Sequence, residues 1–414
     1  MYRLIVPVSA LLLSVSLLLM GNGLQNTLLP LRASLESFSP LSIGVLGSAY
    51  FFGFAIGCLS GPLLIRRVGH IRTFTAMATI ASCTALAHVI FLEPVVWWIL
   101  RIVTGICFAV LYMIIESWLN ERATNENRGT LFSIYTIINL TVITIGQMML
   151  TLDDPKNFML FSLASVLVSL SAVPVALSSS PEPAPIKSVK VRVGKLLRLS
   201  PVGAVGCFTV GLTNGSFWSL APVFAQGDHS DTNTIAIFMS VAVIAGAIGQ
   251  FPLGRISDKM DRRCVILVAC FGAAIAGVAL SLFELSTPTL LLAAVFGYGL
   301  FGFPLYALSV AHTNDYASKA DFVEVACGLL LVYAVGAVIG PIVASVCMRY
   351  SGPGGLFAFT AVMHIAMGIF AIYRLNCRDT TPTEEHIPFA DALLIAQTVS
   401  AIDPTTSSVQ KEDD

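Results

Sequence analysis

Very few ionisable side chains interrupt the long apolar stretches of this chain, and Arg101 and Glu116 stand out among them. A charge near the middle of a membrane-spanning helix costs about 2.5–3.5 kcal/mol on insertion scales, so each is a functional candidate by default. Arg101 can serve charge coupling or a structural hydrogen bond between helices; both roles stay open. Glu116 lies about 22 Å further along the same helix at 1.5 Å per residue, too far to pair with Arg101. Its candidate partners are Arg66, Arg67, Arg72 and Arg128. That placement suits a gate at the helix end, with a proton carrier and a solvated helix end as the alternatives.

Neutral polar residues are the better candidates for contact with a solute. Asn22, Gln25 and Asn26 share one helical face by their spacing of three and four. Asn214 with Trp218 forms a second group, Tyr112 and Tyr306 a third, and Tyr135, Asn139, Gln147 and Tyr333 complete the set. The alternative reading is that these groups glue helices together, worth about 0.6 kcal/mol each. As a set they describe a site with polar and aromatic walls and little fixed charge. It suits a neutral, zwitterionic or weakly amphiphilic solute better than a polyanion, which would call for several basic residues.

Other chemistries find no residues to carry them. An intramembrane enzyme would need a clustered catalytic set, and the mid-span His88 and His364 have no acid at helical spacing, which argues against one. No G-x-x-x-x-G-K-[ST] run is present, so a nucleotide-driven pump is excluded. The nine cysteines lack metal-ligand spacing and read as small core residues. No cofactor is implied, and a net charge of -1 with no basic patch excludes a nucleic-acid partner.

The elements that must position these residues follow from composition. The chain is 56% hydrophobic and 11% charged, with a mean hydropathy of +0.83. A soluble surface needs about 25% charged residues, so most of this surface must face a lipid bilayer. Apolar runs of about 20 residues, the length of a spanning helix, recur throughout. They predict an all-α membrane protein with twelve spans near 5–30, 42–64, 73–92, 95–118, 131–151, 157–177, 200–224, 234–255, 264–284, 288–312, 323–347 and 354–374. The first run is too long for a signal-peptide core and is read as an uncleaved span. The Pro-, Ser- and Lys-containing stretch 178–199 is a linker between a first six-helix half, 1–177, and a second, 200–374; residues 375–414 form a polar tail. In that tail FADALLIAQTVSAI is too short to span; it reads as a helical patch in a disordered tail, with a place on the membrane surface as the alternative. With both termini in the cytoplasm, nineteen of the 23 Lys and Arg fall inside and only Arg32, Lys156 and Arg349 outside, which sets the orientation.

The halves repeat. At an offset near 193, Asn22-Gly23 falls on Asn214-Gly215 and Pro30 on Pro222. Gly53 and Gly61 fall on Gly246 and Gly254, and Gly105, Tyr112 and Asn120 on Gly299, Tyr306 and Asn314. Ile145-Gly146 falls on Ile339-Gly340. Two halves of equal topology can rock about a site at the bilayer midplane and open it to each side in turn.

These features resemble the major facilitator superfamily over all twelve spans. Its loop motif G-x-x-x-D-[RK]-x-G-[RK]-[RK] is matched by GRISDKMDRR, Gly254 to Arg263, which keeps Asp258, Lys259, Arg262 and Arg263 but has Asp261 for the second Gly. The earlier copy, GPLLIRRVGHIR from Gly61, keeps the basic pair Arg66-Arg67 but has Ile65 in place of the acid and Gly69 one place late. RIVTG at Arg101 is similar to the family's R-x-x-[QT]-G, and NRGT at Asn127 to its R-G turn. The runs LQNTLLPL, IIESWLN and GQFPLGRISDK resemble the uncharacterised YcaD-like group of bacterial transporters. The resemblance implies a secondary transporter of small molecules in the bacterial inner membrane, monomeric, with protons as a candidate coupling ion. It also implies gating by Asp258, Lys259, Arg262, Arg66 and Arg67. The basic residues have topology alone as their other reading. Gly146-Gln147 stands where the family's exporters carry Gly-Pro, so the direction of transport stays open. A transporter-fold sensor that binds without flux is the second functional reading.

Overall fold

The computed structural model describes residues 9–123, 128–177, 193–227, 231–282, 287–318, 321–377, 386–389 and 392. Residues 1–8, most of the linker, the NRGT turn up to Asn127 and most of the tail lie outside the described residues. Every element among the described residues is helical. The first group is α1 (Ser9–Leu35), α2 (Pro40–Val68), α3 (His70–Ile90), α4 (Pro94–Arg122), α5 (Arg128–Met148), α6 (Met159–Leu170) and the short α7 (Ala172–Ala176). After α8 (Val193–Leu199) come α9 (Pro201–Gln226), α10 (Thr232–Ser257), α11 (Arg262–Leu282), α12 (Pro288–Gly302), α13 (Leu305–Asn314), α14 (Phe322–Ser351) and α15 (Gly355–Leu375).

Local chemistry sets the boundaries. Ser39, Ser200, Asp231 and Thr287 cap α2, α9, α10 and α12 by accepting a backbone N–H with their side chains. Proline follows at three of these caps, where its missing N–H costs nothing. Gly69 joins α2 to α3 alone, at φ 93°, a conformation that a side chain would strain. Pro304 breaks the expected tenth span into α12 and α13.

Among the described residues eleven segments, counting α6–α7 and α12–α13 as one each, are long and apolar enough to cross a membrane. The twelfth expected span is α9, a helix of 26 residues whose buried Thr209, Thr213, Ser216 and Ser219 lower its hydropathy. It sits at the centre of the molecule, touching α1, α2, α14 and α15.

The helix pairings come in matched sets. α1 packs on α5 as α9 packs on α14; α2 on α4 as α10 on α12; α3 on α6 as α11 on α15. Between the two groups, α2 meets α14, α5 meets α10, and α1 meets α9. Glycine allows the closest of these approaches, in place of the hydrophobic driving force that lipid removes. A Cβ on Gly53 would strike the Ile102 carbonyl and one on Gly105 the Tyr50 carbonyl; Gly249 and Gly299 meet Leu300 and Ala242 in the same way.

Apolar packing differs between the two ends of the bundle. Toward the Ser39, Trp97 and Gly354 end, one continuous cluster joins both groups, from Leu28, Leu46 and Trp97 to Phe217, Leu220 and Phe357. There Gly44 abuts Pro341 and Ser345, and Gly47 abuts Ser219. Toward the Gly69 and Asp258 end the core is divided. One cluster holds Ile65, Phe74, Ile115 and Phe132, and separate clusters hold Leu253, Ile266 and Leu308 and Cys207, Val310 and Leu329.

Candidate substrate cavity

Between the two groups lies a cavity of about 200 Å³. It is smaller than the roughly 300–1,000 Å³ of drug-sized sites. The first group supplies Asn22, Gly23, Asn26, Tyr50, Phe51, Arg101, Tyr112, Ile143 and Gln147; the second supplies Trp218, Ser219 and Tyr333. Its floor is the closed end, where α2 meets α9 and α14 through Gly44 and Gly47.

A polar chain runs along one wall. Arg101 Nη2 donates to Asn26 Oδ1 at 3.2 Å, Asn26 Nδ2 donates to Asn22 Oδ1 at 3.2 Å, and Asn22 Nδ2 donates to Tyr112 Oη at 3.3 Å. Asn22 and Asn26 reach this chain together because four residues return a helix almost to the same direction. The Arg101 guanidinium also lies over the Tyr50 ring, 4.3 Å from its centroid, a cation–π contact worth about 0.5–2 kcal/mol. That falls short of offsetting the cost of the charge. Arg101 is 7% exposed, and its Nε and Nη1 have no hydrogen-bond partner. Opposite, Trp218 is stacked on Phe303 at 5.7 Å and held edge-on by Phe217, so the indole is fixed in place.

Five expected contact residues lie off the cavity wall. Gln25 is 1% exposed and its amide has no hydrogen-bond partner; it is turned about 100° around α1 from Asn26. Tyr135 is buried in the first group's cluster, and Asn139 lies one turn from Ile143; both are nearer the divided end. Tyr306 packs edge-on against Tyr333 at 5.2 Å, behind it as seen from the cavity. Asn214 sits beside the Tyr333 hydroxyl. Sequence reasoning missed Tyr50, Phe51 and Ser219. The register of the glycines holds the signal for Tyr50: it stands three residues before Gly53, and Arg101 stands four before Gly105, on two helices that these glycines lock together.

A second polar centre occupies the divided end. Arg262, 1% exposed, donates from Nε to Asp315 Oδ2 at 2.6 Å and from Nη1 to Ser257 Oγ at 3.0 Å, and pairs with Asp258 at 3.3 Å. The chain near its C-terminus completes the network. Asp315 accepts the Ile387 N–H and Asp258 the Phe389 N–H at 2.9 Å, while Arg262 donates to the Ile387 carbonyl. Phe389 and Ala392 are buried with Leu253, Val265 and Ile266, and the Phe389 ring covers Gly254. Phe389 and Ala392 are thus seated on the second group, against the expectation of a disordered tail. Burial raises the Asp315 carboxyl above its ordinary 3.8, and Arg262 opposes that shift. Arg66, Arg67 and Lys259 are exposed, and Glu116 is half-buried. No group of three His, Cys, Asp or Glu among the described residues could hold a metal.

The arrangement has counterparts among known proteins. A family model described as the Major Facilitator Superfamily matches residues 11–326 and 204–401. An uncharacterised MFS-type transporter, YcaD of Escherichia fergusonii, is 28% identical over 387 residues, covering 92% of this chain and 98% of its own. A crystal structure of the nucleoside transporter NupG superposes with a TM-score of 0.74 at 11% identity, over 89% of this chain and 98% of that one. A bacterial homologue of the human lysosomal transporter Spinster, in an inward-facing and occupied conformation, gives 0.67 at 16% identity over 94% and 95%.

Proposed function

The chain belongs to the major facilitator superfamily and is a multi-pass membrane transporter rather than an enzyme; on that premise we propose that it is a secondary carrier of a small solute, working by alternating access. Twelve spans in two six-helix halves, with both termini in the cytoplasm of a bacterial cell, are part of this reading. The matched helix pairings support the two halves. The excess of Lys and Arg in the loops of one side supports the orientation. The observation that carries the reading is the cavity itself. It is lined by Arg101, Asn22 and Asn26 from one half and Trp218 and Tyr333 from the other, and it lies where apolar packing joins the halves on one side only.

In this mechanism the site between the halves is reached from the divided, cytoplasmic end in the present conformation, and transport in either direction passes through it. Closure of that end then brings Glu116, Arg66 and Arg67 of one half toward Asp258, Lys259 and Arg262 of the other, while Gly44 and Gly47 separate from α14 and α9. Protons are the proposed coupling ion. The gating proposal fails if Asp258→Asn leaves both transport and cysteine accessibility of the cytoplasmic face unchanged.

The test starts with a thermal-stability screen of the purified protein against metabolites, in which a ligand at a hundredfold its Kd adds about 2.7 kcal/mol. Hits are then offered to proteoliposomes under an imposed pH gradient. Gradient-driven uptake that Asn22→Ala and Trp218→Ala both weaken is the expected result. Binding without any flux would favour the sensor reading instead.

A further inference from the structure

The cavity's one charged side chain identifies the chemistry of its ligand. Arg101 is buried and spends one of its five N–H groups, on Asn26; Nε and Nη1 have no partner. Among the described residues no carboxylate lies within ion-pairing distance of it. Its remaining close contact is the face of Tyr50, which attracts a cation but cannot accept a planar pair of hydrogen bonds. The two buried arginines of the second half differ: Arg262 meets Asp315 and Asp258, and Arg263 meets Asp261. A guanidinium left without a counterion at a cavity wall is matched by an anion brought in from outside, and its flat fork fits a carboxylate best.

The rest of the wall narrows the class. Among the described residues Arg101 is the only charged one lining the cavity, which fits a single negative charge better than a polyanion. Phe51, Ile143 and Trp218 offer apolar and aromatic surface for a ligand body. Gln147 Oε1 is buried without a partner, an acceptor for a hydroxyl or amine on that body. Resting on the carrier reading above, we propose that the transported solute is a small monocarboxylate with an apolar or aromatic body, held through its carboxylate by Arg101.

The probe set is benzoate, phenylacetate, 4-hydroxybenzoate, phenylalanine and isobutyrate, each paired with the primary amide of the same skeleton. Binding to the full chain in detergent is followed by calorimetry and by Trp218 emission, with Trp218→Phe as the control. The expected result is at least one carboxylate that binds tenfold or more tighter than its amide. Arg101→Gln should remove that preference and Arg101→Lys retain part of it. Amides binding as well as their acids to the native protein, or no acid binding up to millimolar concentration, overturns the proposal, and neither result depends on a variant that must fold. A carboxylate preference that survives in folded Arg101→Gln also overturns it. The carrier reading fails separately. A protein that binds these acids but passes none of them across proteoliposomes keeps the site and loses the carrier. One that moves neutral solutes and ignores carboxylates keeps the carrier and loses the site.

Discussion

The two groups of helices share a packing plan and divide the chemistry between them. At the level of the cavity, the first carries Tyr50 and Arg101 beside its glycine contact. The repeat places Val243 and Val295 at the same points of the second, both buried and apolar. Asn26 answers to Trp218 by the same offset, so one wall is polar and the other aromatic. At the divided end the distribution reverses. Arg66 and Arg67 are exposed beside Ile65, whereas Arg262 is buried in a network with Asp258, Asp315 and the segment around Phe389. By the same offset Arg66 answers to Lys259, and both are exposed, whereas Arg262 answers to Gly69, so the buried charge of this loop has no counterpart in the first group. The difference puts the buried charge of the cavity wall in the first group and a fastened interhelical loop in the second.

The sharpest way to break this comparison is to remove the buried arginine of the loop. Arg262→Ala leaves Asp315 buried without its counter-charge and should cost about 3–5 kcal/mol in detergent unfolding. Arg66→Ala should stay within about 0.5 kcal/mol; equal losses would erase the distinction. Next, Val295→Arg writes the first half's charge into the second. Val295 is fully buried in an apolar cluster, so the change should destabilise the protein by about 2.5–3.5 kcal/mol, read as a loss of folded yield and a lower Tm. The glycine contacts sharpen the shared plan: Gly53→Ala and Gly246→Ala should each cost about 1–3 kcal/mol. Gly53 should cost more, because its Cβ meets the backbone carbonyl of Ile102, whereas at Gly246 the obstacle is the Phe303 ring.

The smallest effect is a pH slope. Burial holds the folded pKa of Asp315 above its unfolded value of 3.8. Its contribution to stability is therefore fully present below that value and is lost as pH rises through the folded pKa. Asp315→Asn should lack this slope, as read from Tm across the acid range.

Much of this was legible from residue types. Long apolar runs marked the helices, and caps such as Ser39-Pro40 and Ser200-Pro201 lie near the expected span starts. The span at α9 was legible as an apolar run over 200–224, although its hydroxyl residues weaken that signal. Asn22, Asn26, Arg101, Tyr112, Trp218 and Tyr333 were singled out as polar or aromatic interruptions, and the cavity gathers them. Tyr50 and Ser219 were passed over because their place depends on helix contacts made through Gly105 and Gly47, which a one-dimensional pattern does not display. Tyr135 and Asn139 were included on residue type alone, and the axial distance along α5 separates them from the wall. The seat of Phe389 was illegible for a related reason: it is built by backbone N–H groups reaching Asp258 and Asp315, and backbone donors carry no residue signature.

Alternating access is the centre of the account, and distance measurement between spin labels tests it most directly. In a background without the nine native cysteines, one pair of labels goes at the exposed Arg67 and Lys259 of the divided end. A second pair goes at the exposed Lys156 and Asn233 of the closed end. Alternating access predicts that a ligand or a pH change shifts both distance distributions in opposite senses, the Arg67–Lys259 pair shortening as the Lys156–Asn233 pair lengthens. Single, fixed distances at both ends under every condition that permits binding and flux would contradict it.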